Sequence, residues 1–456
     1  MHSTRSIPRI RGNVATAATV ITRTTRTGSQ AMDASRTHNP DRPAAMVIVG
    51  AGHVGGRAAQ HLREQGWAGE IVLIGAEPVL PYERPPLSKA VLKGEMTPGQ
   101  CALRAAADYD RDRITHIVAT VQAVDTAARS VTLADGRVIA YAALLLATGG
   151  VARKLDIPGA TLPGVCELRT QADAIALAPS LQAGAHLLLI GGGFIGLEVA
   201  ASARSRGCEV TVIEGAPRLL GRAVPASIGA QVLALHRSQG VDVRLGSGPS
   251  AFVQRADGRL DVSLQDGSTR VADTVVVGIG ITPATELARA AGLAVERGIV
   301  VNAQLATSAA GVYAAGDVAE FPSAFSGQLI RQETWHNAET QARTAAVNML
   351  GGHEAYTVTP WFWSDQYDWQ LQVSGEPALA ASSVVRTLGE GSEAGELHFY
   401  LDADGRLVGA SGCGPTRVVA KELKLARTLV ERGARPTAAQ LADPGVKLKA
   451  LLSTAA

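Results

Sequence analysis

The 456-residue sequence predicts an α/β fold with two Rossmann-like dinucleotide-binding domains and a C-terminal α+β domain. Two stretches carry this prediction, because "MVIVGAGHVGG" at 46–56 and "LLIGGGFIGLE" at 188–198 each end an apolar run in a G-x-G-x-x-G pattern. The third observation is a change after about residue 364, where alternating strand-like runs replace strand–helix units. The length fits about three domains.

The composition is that of a globular protein and disfavours several classes of partner. Hydrophobic residues make up 46% of the chain and charged residues 18%, and 49 glycines predict many tight turns. Lys plus Arg number 43 against 41 Asp plus Glu, so no overall field favours nucleic acid or anionic lipid. The apolar runs stop well short of the roughly 18 residues that cross a bilayer. We expect a cytoplasmic protein with no nucleic-acid or membrane partner, as a monomer or homodimer.

The cysteines and the first 44 residues lie apart from the predicted sites. The cysteines form no C-x-x-C or C-x4-C pair, which disfavours a metal site and favours buried, inert thiols. They are Cys101, Cys166, Cys208 and Cys413. Residues 1–44 are rich in Arg, Ser and Thr, and we interpret them as a disordered or leader-like tail outside the fold.

The first glycine-rich turn belongs to a complete βαβ unit. Residues 47–49 form a strand-like run, Gly50, Gly52 and Gly55 make the turn, and "RAAQHLREQG" and "EIVLIGAE" follow as helix and strand. The glycines allow the backbone to approach a pyrophosphate at the helix N-terminus, where unpaired N–H groups favour negative charge. Glu77 closes the second strand and is expected to accept hydrogen bonds from ribose hydroxyls.

The second unit repeats this order between residues 187 and 214. Its turn is made by Gly191, Gly193 and Gly196, with "LEVAASARSRG" as helix and "EVTVIE" as the strand that ends in Glu214. Two such matches, each framed by a strand, a helix and a terminal acid, predict two dinucleotide sites.

The acid of the second unit bears on the choice of nicotinamide cofactor. A carboxylate at Glu214 suits the free 2′-hydroxyl of NADH and repels the 2′-phosphate of NADPH. Arg218 and Arg222 follow closely and could welcome a phosphate, or else contact pyrophosphate or solvent. NADH is therefore favoured. Two dinucleotides in one chain make sense as a bound FAD and a transient hydride donor whose nicotinamide stacks on the flavin.

Five further segments resemble those of the FAD-dependent NADH:ferredoxin reductases, the family of putidaredoxin reductase and of the reductase components of aromatic-ring dioxygenases. They are "PYERPPLSKAVLKG", "LLLATGGVARKL", "GVYAAGDVAE", "RQETWHNAETQARTAAVNMLG" and "PWFWSDQYDWQLQVSG". The resemblance covers residues 46 to roughly 430 in the family's order. It implies an FAD domain split between 45–153 and 281–360, an NAD domain at 154–280, and a C-terminal interface domain at 361–456.

The resemblance also suggests roles for single residues. Arg84 and Lys89 lie in a proline-rich segment, where a polyproline-II-like backbone would fix both cations beside the isoalloxazine ring; surface cations are the alternative. Glu198 would neighbour the nicotinamide and pair with Lys89, unless it only stabilises the helix dipole. Asp317 sits at a Gly-Asp turn, where it could hold a ribityl chain or the pyrophosphate. Trp335 would lie near the flavin or pack in the core.

The full set of expected site residues has four parts. The expected catalytic residues are Lys89, Glu198 and Trp335. The residues expected to contact FAD are Gly50, Gly52, Gly55, Glu77, Arg84, Lys89, Val121, Ala147, Thr148, Gly149, Asp317 and Trp335. The residues expected to contact NAD are Gly191, Gly193, Ile195, Gly196, Glu198, Glu214, Arg222 and Gly280. Trp363 and Asp365 are weaker candidates beside FAD, and no metal site is expected.

The C-terminal region reads as a hairpin with an Asp-Gly turn, followed by an amphipathic helix. Val419, Leu423, Ala426 and Val430 make the apolar stripe of "TRVVAKELKLARTLVERG". Another face carries three basic residues at i, i+4 and i+7: Arg417, Lys421 and Lys424. This basic face is either merely solvated or a docking patch for an acidic [2Fe-2S] ferredoxin.

The sequence thus predicts an NADH-dependent, FAD-containing ferredoxin reductase that serves a P450 or Rieske-type oxygenase. No cysteine falls where related disulfide or peroxide reductases place a redox thiol, so electrons would leave the flavin directly. The alternatives are an NADH oxidase or rubredoxin-type reductase, and a redox-sensing flavoprotein resembling apoptosis-inducing factors.

Overall fold

The structure is a computed structural model that describes residues 44–221, 223–391 and 394–453. The predicted tail and Arg222 lie outside the described residues. The strands are β1 (Ala45–Val49), β2 (Ile71–Gly75), β3 (Ile114–Val118), β4 (Val121–Asp125), β5 (Ser130–Leu133), β6 (Val138–Leu146), β7 (Gly150–Ala152), β8 (Val165–Glu167), β9 (His186–Ile190), β10 (Glu209–Glu214), β11 (Asp242–Leu245), β12 (Pro249–Gln254), β13 (Leu260–Leu264), β14 (Thr269–Ala272), β15 (Thr274–Val277), β16 (Ile281–Pro283), β17 (Ile299–Val300), β18 (Val312–Ala314), β19 (Ala319–Pro322), β20 (Leu329–Ile330), β21 (Trp361–Gln366), β22 (Trp369–Gly375), β23 (Ser382–Leu388), β24 (Gly395–Leu401) and β25 (Leu407–Pro415).

The α-helices are α1 (His53–Glu64), α2 (Ala106–Arg111), α3 (Gln171–Leu177), α4 (Phe194–Ser205), α5 (Ala226–Ser238), α6 (Glu286–Ala290), α7 (Trp335–Met349), α8 (Thr416–Glu431), α9 (Ala438–Ala442) and α10 (Leu448–Leu451). A π-helical turn spans Leu87–Val91, and 3-10 turns span Pro98–Cys101, Ala178–Ser180, Gly316–Val318 and Pro377–Leu379. Within the described ranges, no helix is both long and apolar enough to cross a membrane.

The first sheet has the strand order β3-β2-β1-β6-β5-β4, and β18 pairs in parallel with β6. Every residue of β1 and β2 is buried, as expected for apolar strands of a parallel sheet covered on both faces. Helices α1 and α7 pack against each other beside this sheet. Because β18 comes from the chain beyond residue 311, the sheet is completed only after the chain has passed through the second sheet.

The second sheet is wholly parallel, with the order β11-β10-β9-β15-β8, and the antiparallel sheet β12-β13-β14 lies beside it in sequence. The antiparallel pair of β7 and β16 joins the segment that leaves the first sheet to the segment that returns to it. The two Rossmann-like units are therefore confirmed, whereas the exact domain limits stay a prediction.

The C-terminal sheet is antiparallel, with the order β21-β22-β25-β24-β23. The predicted hairpin is confirmed, because β24 and β25 pair across a turn where Gly405 has a φ of 74°. The predicted apolar stripe is confirmed as well, since all its four members are buried where α8 packs on this sheet. The buried guanidinium of Arg386 donates to the carbonyls of Gln440, Leu441 and Val446, which fastens the last helices to β23.

Candidate functional site

One continuous cleft of about 1880 Å³ opens between the first two sheets. Both glycine-rich turns line it, at the carboxyl ends of β1 and β9. Ligands of open parallel sheets bind at this edge. The C-terminal sheet also reaches the cleft, through Phe362 and Trp363 of β21.

The first turn has the shape that a pyrophosphate requires. Gly50 has a φ of 114°, and a Cβ there would lie 2.1 Å from the carbonyl oxygen of Ala147. A Cβ at Gly55 would lie 1.9 Å from the carbonyl oxygen of Gly50, which explains the close approach of helix to strand. Gly52 caps α1 without a side-chain hydrogen bond and faces open space. Its neighbouring N–H groups are therefore available to a phosphate.

The second turn repeats this geometry. Gly191 has a φ of 109°, and a Cβ there would lie 2.4 Å from the carbonyl oxygen of Gly278. A Cβ at Gly196 would meet the carbonyl oxygen of Gly191 at 2.3 Å, and Gly193 caps α4 with open space around it. Both turns thus fit a dinucleotide.

The two acids at the ends of β2 and β10 have different hydrogen-bond partners. Glu77 accepts hydrogen bonds from the Tyr82 hydroxyl at 2.6 Å and from Arg84 at 2.8 Å. Burial raises the pKa of Tyr82 to about 12, so its hydroxyl stays a proton donor. Glu214 instead accepts from two backbone N–H groups, those of Gly192 at 2.6 Å and Ala216 at 2.7 Å. Both carboxylates line the cleft.

The proline-rich segment does not have the expected backbone around Lys89. Pro86 has φ −68° and ψ −21°, and the N–H of Val91 donates to its carbonyl at 3.0 Å, which makes a π-helical turn. The polyproline-II expectation is wrong for this stretch. The two cations of the segment also have different partners, because Arg84 pairs with Glu77 whereas Lys89 does not.

Lys89 and Glu198 form the predicted ion pair, with 2.9 Å between Nζ and Oε2. The Glu198 side chain is only 4% exposed and that of Lys89 20% exposed. Two serines also donate to this carboxylate: Ser88 Oγ to Oε2 at 2.5 Å and Ser364 Oγ to Oε1 at 2.7 Å. The sequence analysis did not find these serines, since a single hydroxyl beside no motif gives no signal.

Asp317 is not an exposed loop carboxylate. Its Oδ2 lies 2.9 Å from Nη2 of Arg169, and both residues line the cleft. The buried Nε of Arg169 has no hydrogen-bond partner. The sequence analysis missed Arg169, which lies in a segment without a motif.

Aromatic side chains run from the cleft to α8. Trp335 begins α7 and makes an edge-to-face contact with Trp363, with 5.7 Å between ring centroids. Trp363 stacks on Trp361 at 5.0 Å, and the guanidinium of Arg427 lies 4.5 Å above the Trp361 ring. Asp365 does not line the cleft, but it accepts a hydrogen bond from Nε1 of Trp363 at 3.0 Å.

His53 lies in the first turn, and the sequence analysis did not single it out. Its Nε2 is 2.7 Å from Oε2 of Glu339, an oxygen that also accepts from Arg57 at 2.9 Å. Burial raises the pKa of Glu339, but its hydrogen bond to His53 and the charge of Arg57 outweigh burial and leave it lowered. This contact ties the start of α1 to α7.

Most other predicted residues also line the cleft: Val121, Ala147, Thr148, Gly149, Ile195 and Gly280. Gly55 and Gly196 shape the turns from within their helices, and Arg222 lies outside the described residues.

Three of the four thiols are buried as expected. Cys101, Cys208 and Cys413 are buried, and Cys166 is partly exposed. Burial raises the pKa of Cys166 to about 11 and that of Cys413 to about 12. Among the described residues that line the cleft there is no cysteine.

Two family models match this chain. The pyridine nucleotide-disulphide oxidoreductase model matches residues 44–342, and the reductase C-terminal model matches residues 361–452. Together they account for both Rossmann-like units and the C-terminal sheet.

Known proteins resemble the chain over most of its length. The anthranilate 1,2-dioxygenase system ferredoxin–NAD+ reductase component of Burkholderia cepacia is 43% identical over 407 residues, 89% of this chain and 98% of the relative. A rubredoxin–NAD+ reductase of Pseudomonas putida is 40% identical over 332 residues, 73% of this chain and 86% of the relative. Among solved structures, the covalent putidaredoxin reductase–putidaredoxin complex matches with a TM-score of 0.84 at 34% identity, over 91% of this chain and 99% of that chain.

Proposed function

The chain belongs to the pyridine nucleotide-disulphide oxidoreductase family, among its ferredoxin–NAD+ reductases, and we propose that it passes electrons from NADH to a [2Fe-2S] ferredoxin of an oxygenase system. It is an oxidoreductase that uses FAD and NADH. The observation that carries the proposal is a single cleft that joins two dinucleotide turns, with the Lys89–Glu198 pair between them. The oxygenase would be of P450 or Rieske type.

The two turns hold their dinucleotides through backbone groups. The N–H groups at the start of α1 bind the FAD pyrophosphate, and those at the start of α4 bind that of NADH. Glu77 would accept hydrogen bonds from the ribose of FAD, and the Arg169–Asp317 pair would hold the part of FAD that leads to the flavin ring. When bound, FAD accepts a hydride from NADH and releases the two electrons one at a time.

The Lys89–Glu198 ion pair lines the cleft and would help to orient the two rings when both cofactors are bound. Glu198 is the fifth residue of α4, in the second unit, and Lys89 lies in the π-helical turn beside the first sheet. Their 2.9 Å contact links the two units across the cleft, and with both cofactors bound the pair would stand beside the nicotinamide and the flavin. Trp335 and Trp363 cover the cleft nearby and exclude solvent.

The partner surface is the basic face of α8, defined by Arg417, Lys421 and Lys424. All three residues are exposed. Arg427 on the same helix contacts Trp361, so a partner bound here would lie at the outer end of the series of tryptophans that reaches the cleft. A two-iron ferredoxin, usually acidic, would be steered to this face. A rubredoxin-type partner is less well supported, because the rubredoxin reductase match covers a smaller share of the chain than the ferredoxin reductase match.

The proposal is tested by reduction of cytochrome c with NADH, with and without a panel of [2Fe-2S] ferredoxins. We expect ferredoxin to stimulate the rate, more with NADH than with NADPH, and the stimulation to fall as salt screens the docking surface. Replacement of Lys421 and Lys424 by glutamine should raise the KM for ferredoxin about tenfold, at about 1.4 kcal/mol in all. The matched control is Lys449→Gln, an exposed lysine of α10. Flavin reduction without any ferredoxin stimulation would contradict the proposal and favour an oxidase or a sensor.

A further inference from the structure

The Glu198 carboxylate joins three parts of the polypeptide, because donors from two other segments contact it. Lys89 and Ser88 approach Oε2 from the π-helical turn beside the first sheet, whereas Ser364 approaches Oε1 from β21 of the C-terminal sheet. Glu198 itself belongs to α4 of the second unit. These three donors hold the carboxylate in one orientation.

The hydroxyl of Ser364 is the last member of a buried chain of hydrogen bonds. Gln366 Nε2 donates to Ser364 Oγ at 3.2 Å, and Gln366 Oε1 is 2.8 Å from His236 Nε2. The hydroxyl of Tyr367 lies 3.3 Å from His236 Nδ1. Ser364, Gln366 and His236 are all buried. This series of hydrogen bonds therefore extends from Tyr367 in the turn of the β21–β22 hairpin, through His236 of α5, to Ser364 beside Glu198.

Every hydrogen bond of this chain points toward Glu198. The amide oxygen of Gln366 can only accept, so His236 donates to it through Nε2–H. The unprotonated Nδ1 of His236 then accepts a hydrogen bond from the hydroxyl of Tyr367. The amide of Gln366 then donates to Ser364, and Ser364 donates to the carboxylate. Bonds aligned in one direction polarise each other, which strengthens the last donor against an anion.

This common direction of the hydrogen bonds requires that the imidazole of His236 is neutral, and its burial favours the neutral form. The His236 side chain is 0% exposed, and burial lowers its pKa, although the hydrogen bond to Gln366 opposes this. Burial also raises the pKa of Tyr367, whose hydroxyl stays protonated. Both shifts favour the neutral forms of these two side chains.

The far end of the chain shows backbone strain that the local sequence does not explain. Tyr367 lies in the hairpin turn with a φ of 56°, a region that favours glycine or asparagine. Its ring packs edge-to-face on His236 with 5.2 Å between centroids. The strained backbone places the ring and hydroxyl against His236.

We propose that Ser364 is a positioning residue, through which the C-terminal sheet fixes the orientation of Glu198 toward the nicotinamide. The inference deepens the proposed function and rests on it for the reaction of NADH with FAD, but not for the identity of the electron acceptor. The β21–β22 hairpin would then serve hydride transfer as well as cover the cleft. NADH binding through its adenosine half would not depend on Ser364.

The test compares three variants of the FAD-loaded enzyme without ferredoxin. Ser364→Ala removes the donor to Glu198, and Ser364→Thr keeps a hydroxyl. Ser374→Ala is the matched control, because Ser374 is a buried serine of the same hairpin that donates to the carbonyl of Ala410. Anaerobic stopped-flow absorbance gives the limiting rate of flavin reduction and the long-wavelength band of nicotinamide stacked on flavin. Titration with NAD+ gives its Kd.

We expect Ser364→Ala to lower the limiting rate about tenfold and to weaken the long-wavelength band, with the Kd for NAD+ within about twofold of wild type. Ser364→Thr should recover most of the rate, and Ser374→Ala should match wild type. The inference is overturned if Ser364→Ala reduces flavin at the wild-type rate, or if Ser374→Ala is impaired as strongly. A wild-type enzyme that NADH reduces but that never reduces ferredoxin would contradict the proposed function alone.

Discussion

The two glycine-rich turns have nearly the same backbone and very different surroundings. The first glycine of each has a φ near 110°, at 114° for Gly50 and 109° for Gly191, and the second glycine of each caps a helix. At the second residue after the cap, however, Val54 is 8% exposed whereas Ile195 is 47% exposed, and His53 just before Val54 contacts Glu339 and Trp335.

The acids show the same contrast. Glu77 is held by the side chains of Tyr82 and Arg84, and Tyr82 in turn accepts a hydrogen bond from the N–H of Gln171. Glu214 instead accepts hydrogen bonds from the backbone N–H groups of Gly192, in the glycine-rich turn, and of Ala216. The acid of the first unit is thus held by side chains and that of the second by backbone groups, a difference that fits our proposal of a bound FAD at the first turn and an exchanging NADH at the second.

The largest effect should come from alanine at the first glycine of each turn. Gly50→Ala forces a Cβ against the backbone of Ala147, and Gly191→Ala forces one against Gly278, each in a strained backbone region worth about 3 kcal/mol. We expect Gly50→Ala to be purified without FAD. Gly191→Ala should retain FAD, while its KM for NADH rises about a hundredfold. Absorbance at the flavin bands measures the FAD content, and steady-state kinetics measure the KM for NADH. Equal loss of FAD in the two variants would contradict the proposed difference between the two turns.

A smaller effect is expected from Glu214→Gln. The change removes the negative charge that repels a 2′-phosphate and preserves the shape of the side chain. The ratio of kcat/KM for NADPH to that for NADH should rise about tenfold, while FAD content stays constant. Glu77→Gln sharpens the comparison, because it should loosen FAD and leave this ratio alone. If Glu214→Gln does not change this ratio, the preference for NADH over NADPH arises from other residues of the cleft.

The smallest effect concerns the contact that fastens the first turn. A lowered carboxyl pKa contributes stability above the usual value of 4.5, and the contribution disappears as pH falls toward the lowered value. The Tm of wild type should therefore exceed that of Glu339→Gln at pH 7, and the difference should narrow below about pH 4.5. Thermal melts between pH 7 and pH 3 measure it. A difference that stays constant over this range would show that the ionised carboxylate is not the cause.

The sequence predicted what is encoded over short distances. The glycines, the strands and the terminal acids Glu77 and Glu214 form local patterns, and the structure confirms both units built from them. The family resemblance added the pairing of Lys89 with Glu198. These two residues are 109 positions apart, and Ser88 is 110 positions from Glu198, so no local pattern could have predicted either contact. The cofactors and the class of enzyme followed from the same motifs and are confirmed by the family match.

The contacts between domains could not be predicted in this way. Ser364 reaches Glu198 from a different sheet, and His236 joins the same chain from α5. Arg169 meets Asp317 across a wide gap in the sequence. Such contacts depend on how sheets pack, and one serine or arginine without a motif carries no sign of its partner. The polyproline-II prediction failed for a related reason, because the prolines of the segment initiate a helical turn that packs against α4.

The pairing of β18 with β6 has a consequence for how the protein is made. On a ribosome that adds about 5–20 residues per second, β18 emerges roughly 165 residues after β6, a delay on the order of ten to thirty seconds. During that interval the second sheet is already complete, while the first still has an open edge at β6. The strands of the second sheet can therefore all pair before those of the first, although the first sheet begins earlier in the sequence.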